Sequence, residues 1–418
     1  MSNFPSVQRI LHHLVEIPSP YPFENKIANW VSSFLENHNF RVHKVPVENR
    51  FCIVGERGTG NTLLLFGHLD TVPIQGVEDE NPHNEKSRQK IIDRALKLGW
   101  TQDPFTPLIK EGKMYGNGAI DMKAGVASIL ATAISLPVEW FSTRKLKLAF
   151  SIDEEYVDKG MYQLLQTDLL RDVQGCICPE IADISEVVEI GETPDVGTIL
   201  LGRRGRIAIE VLIKGKAAHA ATPKAGINAI ELGAKVIAHV MKSVESGNLQ
   251  LGTHDLLPNA SLTPLKIYAG TSSLSVPDSC LIEFDRHLVP PETPEFVLKQ
   301  LKTCINEVLD LGNFQIRKSI RPTPFLLPFV TPKDSKIAQI SISALESLGY
   351  NVRFSGGNSV ADENMLSSPD YQPPILHAIP TIGLGCKGGN YHKDNEWVDL
   401  DSLENHQIAL MEICKNWT

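Results

Sequence analysis

Residues 61–73, NTLLLFGHLDTVP, run four apolar side chains into Gly67, then set His68 and Asp70 two apart before Pro73 closes the segment. A short, continuous apolar run of this kind predicts a strand buried on both faces. Alternation along a strand sends His68 and Asp70 to the same side, at the C-terminal edge where open α/β sheets take their ligands. A plainer reading stays open at this point: a capped strand end, with Asp70 accepting from nearby backbone N–H groups and His68 a partly buried core histidine.

Outward from this strand, residues 7–17 and 25–38 space their apolar side chains as helices, and residues 41–47 and 50–56 read as strands. A small-residue apolar helix follows at 125–137, then a strand at 145–153, a helix at 160–172 and a strand at 175–178. Helices alternating with strands predict an α/β domain with a mixed, mostly parallel sheet flanked by helices. From residue 199 the order changes to β-α-β-β-α-β, with strands at 199–215, 261–270, 279–289 and 314–319 and helices at 228–244 and 294–311. That order predicts a ferredoxin-like α+β domain inserted into the first. The expected division is 1–198 and 320–418 for the first domain and 199–319 for the insert, with a helix at 334–349 and a strand at 380–386 resuming the first. The charge-rich stretch 78–99 reads as a solvated helix on a surface excursion, with no chemistry assigned.

A chain of 418 residues exceeds one ordinary core, and 42% hydrophobic with 21% charged residues describes a globular protein. A net charge of −9 argues against nucleic acid as the main partner, which leaves small molecules. The N-terminal residues lack a basic region followed by an apolar core, and no segment approaches a membrane span, so a cytoplasmic location is expected. The odd set of seven cysteines makes no disulfide framework, and Cys176 and Cys178 read as buried strand residues rather than a metal clamp.

Four further stretches carry candidate chemistry. MYGNGAIDMKAG (114–125) places Asp121 ahead of a helix but is no phosphate loop, lacking the third glycine and any Gly-Lys-Ser/Thr. FSIDEEYVDKG (150–160) sets Glu154 beside Glu155, a pair that needs a cation or a shared proton if buried and is otherwise a solvated strand end. GCICPEIAD (175–183) ends a strand in Glu180, and GLGCKGGNYHKDNEWV (383–398) places His392 after a glycine-rich turn. Two histidines with several carboxylates at the ends of consecutive elements suit Zn²⁺, and suffice for two ions if one carboxylate bridges. No Gly-x-Ser-x-Gly elbow supports a serine hydrolase.

Read together, HLDTVP, GNGAIDMKAG, DEE, GKAAHAATP and YHKDNE resemble, in the same order and over almost the whole chain, the zinc-dependent acetylornithine deacetylase, succinyl-diaminopimelate desuccinylase, aminoacylase and carboxypeptidase family. The resemblance implies a zinc-exopeptidase-like catalytic domain, an inserted lid and dimerisation domain, and a homodimer. It implies Asp121 as a carboxylate bridging two Zn²⁺ ions, His68 and Glu180 completing one shell, and Glu155 and His392 the other. Asp70 becomes the partner that accepts a bond from His68 and orients its ring. Glu154 becomes the general base that takes the proton of the attacking water and passes it to the leaving amine. A cis peptide is implied at Asp121–Met122. His219 matches a histidine that reaches across a dimer interface to the oxyanion, although on its own it reads as a surface loop residue. Arg286 matches a substrate-carboxylate position, although an ordinary strand-end ion pair explains it equally. Gly356 and Gly357 match a backbone loop facing substrate.

The match departs at the third ligand, where Glu-Pro-Thr is missing. Glu180 is preferred because it directly ends a strand, with Glu192 in GETPD a rival and Asp183 a third choice. The segment from Asp70 to Asp121 is longer than usual, and Ser275 and Asn358 replace an asparagine and a threonine near the substrate pocket. The expected function is a two-metal hydrolase that removes the acyl group from an N-acyl amino acid, with Zn²⁺, Co²⁺ or Mn²⁺ compatible by ligand type. A dipeptidase or carboxypeptidase on the same machinery is the alternative. A non-catalytic binding protein is the reading that retention of Glu154 argues against.

Overall fold

A computed structural model describes residues 6–184, 191–270, 272–368 and 377–418. The chain forms two compact units, one of Met1–Arg203 with Val330–Thr418 and one of Arg204–Phe329. In chain order the first unit supplies strands β1 (Arg41–Val47), β2 (Arg50–Gly58), β3 (Asn61–His68), β4 (Leu108–Lys110), β5 (Lys113–Tyr115), β6 (Arg144–Ser151), β7 (Val173–Cys178) and β8 (Thr198–Arg203). The second supplies β9 (Gly205–Lys214), β10 (Ser261–Ala269), β11 (Ser279–Leu288) and β12 (Phe314–Lys318). The chain returns through β13 (Phe329–Val330) to β14 (Arg353–Gly357), β15 (Thr381–Gly383), β16 (Gly388–Gly389) and β17 (Trp397–Asp399).

The first unit's main sheet has the order β1-β2-β6-β3-β7-β15-β8-β13, with β14 paired to β8. Its centre is parallel: β3 pairs in parallel with β6 on one side and β7 on the other, and β7 with β15. Flanked on both edges and covered on both faces, β3 buries Leu63 to Phe66 almost completely, which is why its sequence does not alternate. The β1–β2 hairpin closes one side in antiparallel register. Helix Lys123–Ser135 carries small residues because its partner is backbone: a Cβ on Gly125 would lie 2.3 Å from the Pro179 carbonyl oxygen.

In the second unit the four strands lie in the order β10-β11-β9-β12, all antiparallel, as a ferredoxin-like sheet. Alternation is clean: Ile207, Ile209, Val211 and Ile213 of β9 share a core with Cys280, Ile282 and Phe284 of β11. Helices Ala229–Glu245 and Pro294–Asn306 cover that face through Val236, Val240, Val297 and Leu301. The stretch 199–215, read as one strand, is two. β8 joins the main sheet beside β14, β9 joins the second sheet, and the chain passes between units after Arg203. The second unit likewise runs on past 319, where the Leu326 carbonyl accepts from the Arg206 N–H.

Several elements went unforeseen, among them β14, where Gly356 and Gly357 end a strand rather than lie in a loop. Helix Leu400–Asn416 packs on the first unit, with the Asp399 side chain capping its N-terminus. A small sheet, β16-β17-β5-β4, is built from strands of two or three residues, too short to show a period. All seven cysteines are buried and unbridged. No helix among the described residues is long and apolar enough to cross a membrane.

His406 on the C-terminal helix is fully buried, its Nε2–H donating to the Leu384 carbonyl at 2.7 Å. Burial pushes its pKa down to about 4. The folded state therefore resists a proton that the unfolded chain accepts near 6.5, so this contribution to stability is complete above 6.5 and is lost as pH falls toward 4. Urea unfolding between pH 7 and 4.5 should lose up to about 1.4 kcal/mol per pH unit from this group, and His406→Gln should show a correspondingly shallower acid slope.

Candidate active site

Because β6, β3 and β7 are adjacent and parallel, their C-terminal ends set Glu154 and Glu155, His68 and Glu180 side by side. The small sheet brings in the other two residues. β5 leads into the loop that ends at Asp121, and β16 and β17 form a hairpin whose loop carries His392 in the left-handed region at φ +58°. Pairing of β17 with β5 joins the two loops. The Asp121–Met122 peptide is cis.

Asp121 divides its carboxylate between two histidines. Oδ1 lies 3.3 Å from His68 Nε2, and Oδ2 lies 2.9 Å from His392 Nε2. Glu180 Oε2 stands 3.0 Å from His68 Nε2, and Glu155 stands 3.1 Å from His392 Nε2. Glu192 is elsewhere, paired with Lys387, and Asp183 is taken by Arg203. His68, Asp121 and Glu155 each offer a ligand atom within 4.8 Å of the others.

The chemistry of this set fits divalent metal. His68 Nδ1 faces the Asp70 carbonyl at 3.0 Å, and a carbonyl only accepts, so Nδ1 carries the proton and Nε2 presents its lone pair. That buried Nε2 makes no hydrogen bond although two carboxylate oxygens lie beside it, an arrangement that a shared cation satisfies. Asp121, Glu154, Glu155 and Glu180 are four carboxylates with no lysine or arginine salt bridge among the described residues. Two dications would balance their charge.

The titration directions follow from the same crowding. Burial, then the charge of Asp121, pushes Glu155 and Glu180 each up to about 7. Burial raises Glu154 well above the usual carboxylate range; nearby His68 opposes this, while Glu155, Asp362 and Glu180 add to it. Burial works against His392, but hydrogen bonds to Asp121 and Glu155 carry it up to about 12. Asp121 is lowered despite burial, chiefly by the hydrogen bond from His392.

Other residues shape the set. Asp70 does meet His68, but through its main-chain carbonyl. Its carboxylate is 3.7 Å from the ring and instead accepts the Glu155 N–H at 2.9 Å, so the side chain orients Glu155 rather than the imidazole. Glu396 had no assigned role. Buried at the end of the His392 loop, it accepts the N–H groups of Gly118, Ile120 and Asp121 at 2.7, 2.9 and 2.9 Å. The signal was the final glutamate of YHKDNE, carried in the motif but given no partner. Arg203, also missed, donates to Asp183 at 2.7 Å, to Glu363 and to the Ile181 carbonyl, bracing the segment after Glu180. Gly357 packs on that pair, a Cβ there falling 2.9 Å from both Arg203 Nη1 and Asp183 Oδ1, and Gly356 is buried beside it at the end of β14.

The second unit holds the two remaining candidates. His219 lies on an exposed loop, its Nδ1 accepting the Ala221 N–H at 3.0 Å, which leaves the proton on Nε2. Arg286 shares the helix-covered face of β11 with Ile282 and Phe284, and its guanidinium donates to Glu292 and to the His287 carbonyl. Alternation turns it inward, and the ion pair named as its alternative reading is present, with Glu292.

The sequence pattern of peptidase family M20/M25/M40 matches residues 64–416, a span that holds every residue of this cluster. The chain belongs to that family. As an M20 member it is a metal-dependent hydrolase acting on amide or peptide bonds. It is 25% identical over 406 residues to a succinyl-diaminopimelate desuccinylase of Hydrogenovibrio crunogenus, covering 95% of this chain and 94% of that one. It is 27% identical over 413 residues to a succinyl-diaminopimelate desuccinylase of Wolinella succinogenes, covering 98% and 99%. Solved structures share the fold: a tripeptidase of Staphylococcus aureus at TM-score 0.72 and 19% identity, covering 98% of this chain and 97% of that one. A dinuclear metal binding M20 peptidase of Bacillus subtilis follows at TM-score 0.67 and 17% identity, covering 98% and 96%.

Glu396→Ala would strip three backbone N–H groups of their acceptor and loosen the loop of Asp121. Metal affinity, measured by calorimetric titration of the apoprotein, should fall about 10- to 100-fold, with the unfolding midpoint also lowered.

Proposed function

We propose that this M20 hydrolase removes the acyl group from an N-acyl amino acid, with His68 and Glu180 holding one Zn²⁺, Glu155 and His392 a second, and Asp121 shared between them. The observation that carries this is the division of the two Asp121 oxygens between the two histidines, each flanked by its own glutamate. Bound there, the ions supply Lewis acidity, which makes water more acidic and polarises the scissile carbonyl.

The chain's own groups do the rest. Glu154 is half-buried beside the cluster, where its carboxylate takes the proton of the attacking water and then gives that proton to the departing nitrogen. The Asp70 carbonyl keeps the His68 ring in one tautomer, and the Asp70 carboxylate holds the backbone of Glu155. His219 of one protomer of a homodimer serves the other protomer's oxyanion; the proton on its Nε2, in an exposed loop, supports that role. Gly356 and Gly357 offer backbone to the substrate. Near full-length similarity to desuccinylases supports an acylated amino acid as substrate over a dipeptide. Seven unbridged buried cysteines support a reducing, cytoplasmic setting.

The deciding assay is free-amine release by zinc-loaded protein from N-acetyl, N-succinyl and N-formyl amino acids and from dipeptides. Turnover of acylated amino acids is expected; turnover of dipeptides alone would make the enzyme a peptidase. Glu154→Gln should keep its metal, counted by atomic absorption, while kcat drops about two to four orders of magnitude. A variant with near wild-type kcat would exclude Glu154 as the base.

A further inference from the structure

The stretch 78–99, read as a solvated excursion, reaches the active site. Its helix, Glu85–Leu98, is charged around most of its surface and buries Ile91 and Ala95 against Ile74, Trp100 and Phe105, an apolar cluster of its own. A cleft of about 370 Å³ is lined by Asp121, Glu155 and His392 together with the apolar Ile74, Leu98 and Trp100, Leu98 being the exposed one of these three. Leu98 is 36% exposed at the end of the helix, an apolar side chain lining the same ligand-sized cleft as Asp121, Glu155 and His392.

This wall is fastened to the His392 loop. The Asn395 side chain accepts from the Thr101 N–H at 2.9 Å and the Thr101 hydroxyl at 2.8 Å, and donates to the Gly99 carbonyl at 2.8 Å. Gly99, at φ +128°, sits so close that a Cβ would fall 2.4 Å from Asp394 Oδ2. The distance from the apolar wall to the cluster is therefore set by the fold.

We infer that residues 72–75 and 98–100 form the specificity wall of the substrate cleft, and that it selects an alkyl group beside the scissile amide over a carboxylate there. The inference rests on the amide-hydrolase reading of the same site. An alkyl chain laid on Ile74, Leu98 and Trp100 leaves water at no polar cost, whereas a carboxylate in that position gives up hydration for apolar neighbours. Lys393, at the cleft, is exposed and directly followed by Asp394, so the rim offers a carboxylate little net positive charge.

The test is calorimetric binding to the zinc-loaded Glu154→Gln protein of two series. One is N-acetyl, N-butanoyl and N-hexanoyl glycine; the other is N-acetyl glycine, N-acetyl alanine and N-acetyl norleucine; N-succinyl glycine is the charged counterpart of the butanoyl compound. Affinity should rise about threefold to fourfold per methylene in at least one series. The succinyl compound should bind no tighter than the acetyl one, and Leu98→Asp in the same background should flatten the rise. A flat response in both series, an unchanged rise in Leu98→Asp, or tighter binding of succinyl than butanoyl would each overturn the wall. Turnover by the enzyme with Glu154 intact judges the functional reading separately. A binding slope without turnover sinks that reading and keeps the wall, turnover without a slope does the reverse, and no binding by any compound overturns the wall.

Discussion

One carboxylate serving two imidazoles is the constraint around which the first unit is arranged. Asp121 must reach His68 at the end of β3 and His392 in a hairpin loop more than 300 residues later, and neither contact is local. Glu396 makes this possible by gathering the backbone N–H groups of the Asp121 loop onto a single buried carboxylate. The same glutamate directly precedes β17, whose pairing with β5 sets the height of both loops. A short sheet of low intrinsic stability thus acquires its role from what its ends carry.

Burying so many acids is costly unless each has a partner, and the molecule sorts its cations accordingly. Arg203 answers Asp183 and Glu363, and Arg50 answers Glu24 and Asp153, all in the interior. Among the described residues Asp121, Glu155 and Glu180 pair with histidines, and none of them or Glu154 forms a lysine or arginine salt bridge, which keeps their oxygens available to metal. Arg50 has a further consequence: through Asp153, whose carboxylate also accepts the Lys159 N–H, it anchors the turn from which Glu154 and Glu155 project.

The parts of the site that were legible in the sequence lie where a strand period stops. β3 and β7 announce themselves as apolar runs and β6 as an alternating one, and the polar residues at or past their ends, His68, Glu154, Glu155 and Glu180, are those that converge. Glu180 could be preferred to Glu192 on that ground, and the geometry sets it on His68 while Glu192 meets Lys387. Roles were less legible than positions. Asp70 was expected to accept from His68, and it does so through its carbonyl while its carboxylate takes the Glu155 N–H, two acceptors that a strand pattern does not distinguish. Arg286 was matched to a substrate-carboxylate position with an ion pair as the alternative, and its neighbours on β11, Phe284 and Leu288, mark its face as interior.

By itself the sequence determined the layers: an α/β unit from runs of apolar strand alternating with helices, and a ferredoxin-like unit from the order β-α-β-β-α-β, since hydrophobic period is a local property of the chain. It also determined which residue types could bind metal. Only the tertiary structure decided which of them meet, because the order β6-β3-β7 and the pairing of β17 with β5 join segments far apart in the chain. Likewise the charged stretch 78–99 carries no chemical signal along its length. It becomes a wall of the cleft only because Asn395 ties its end to the loop of His392.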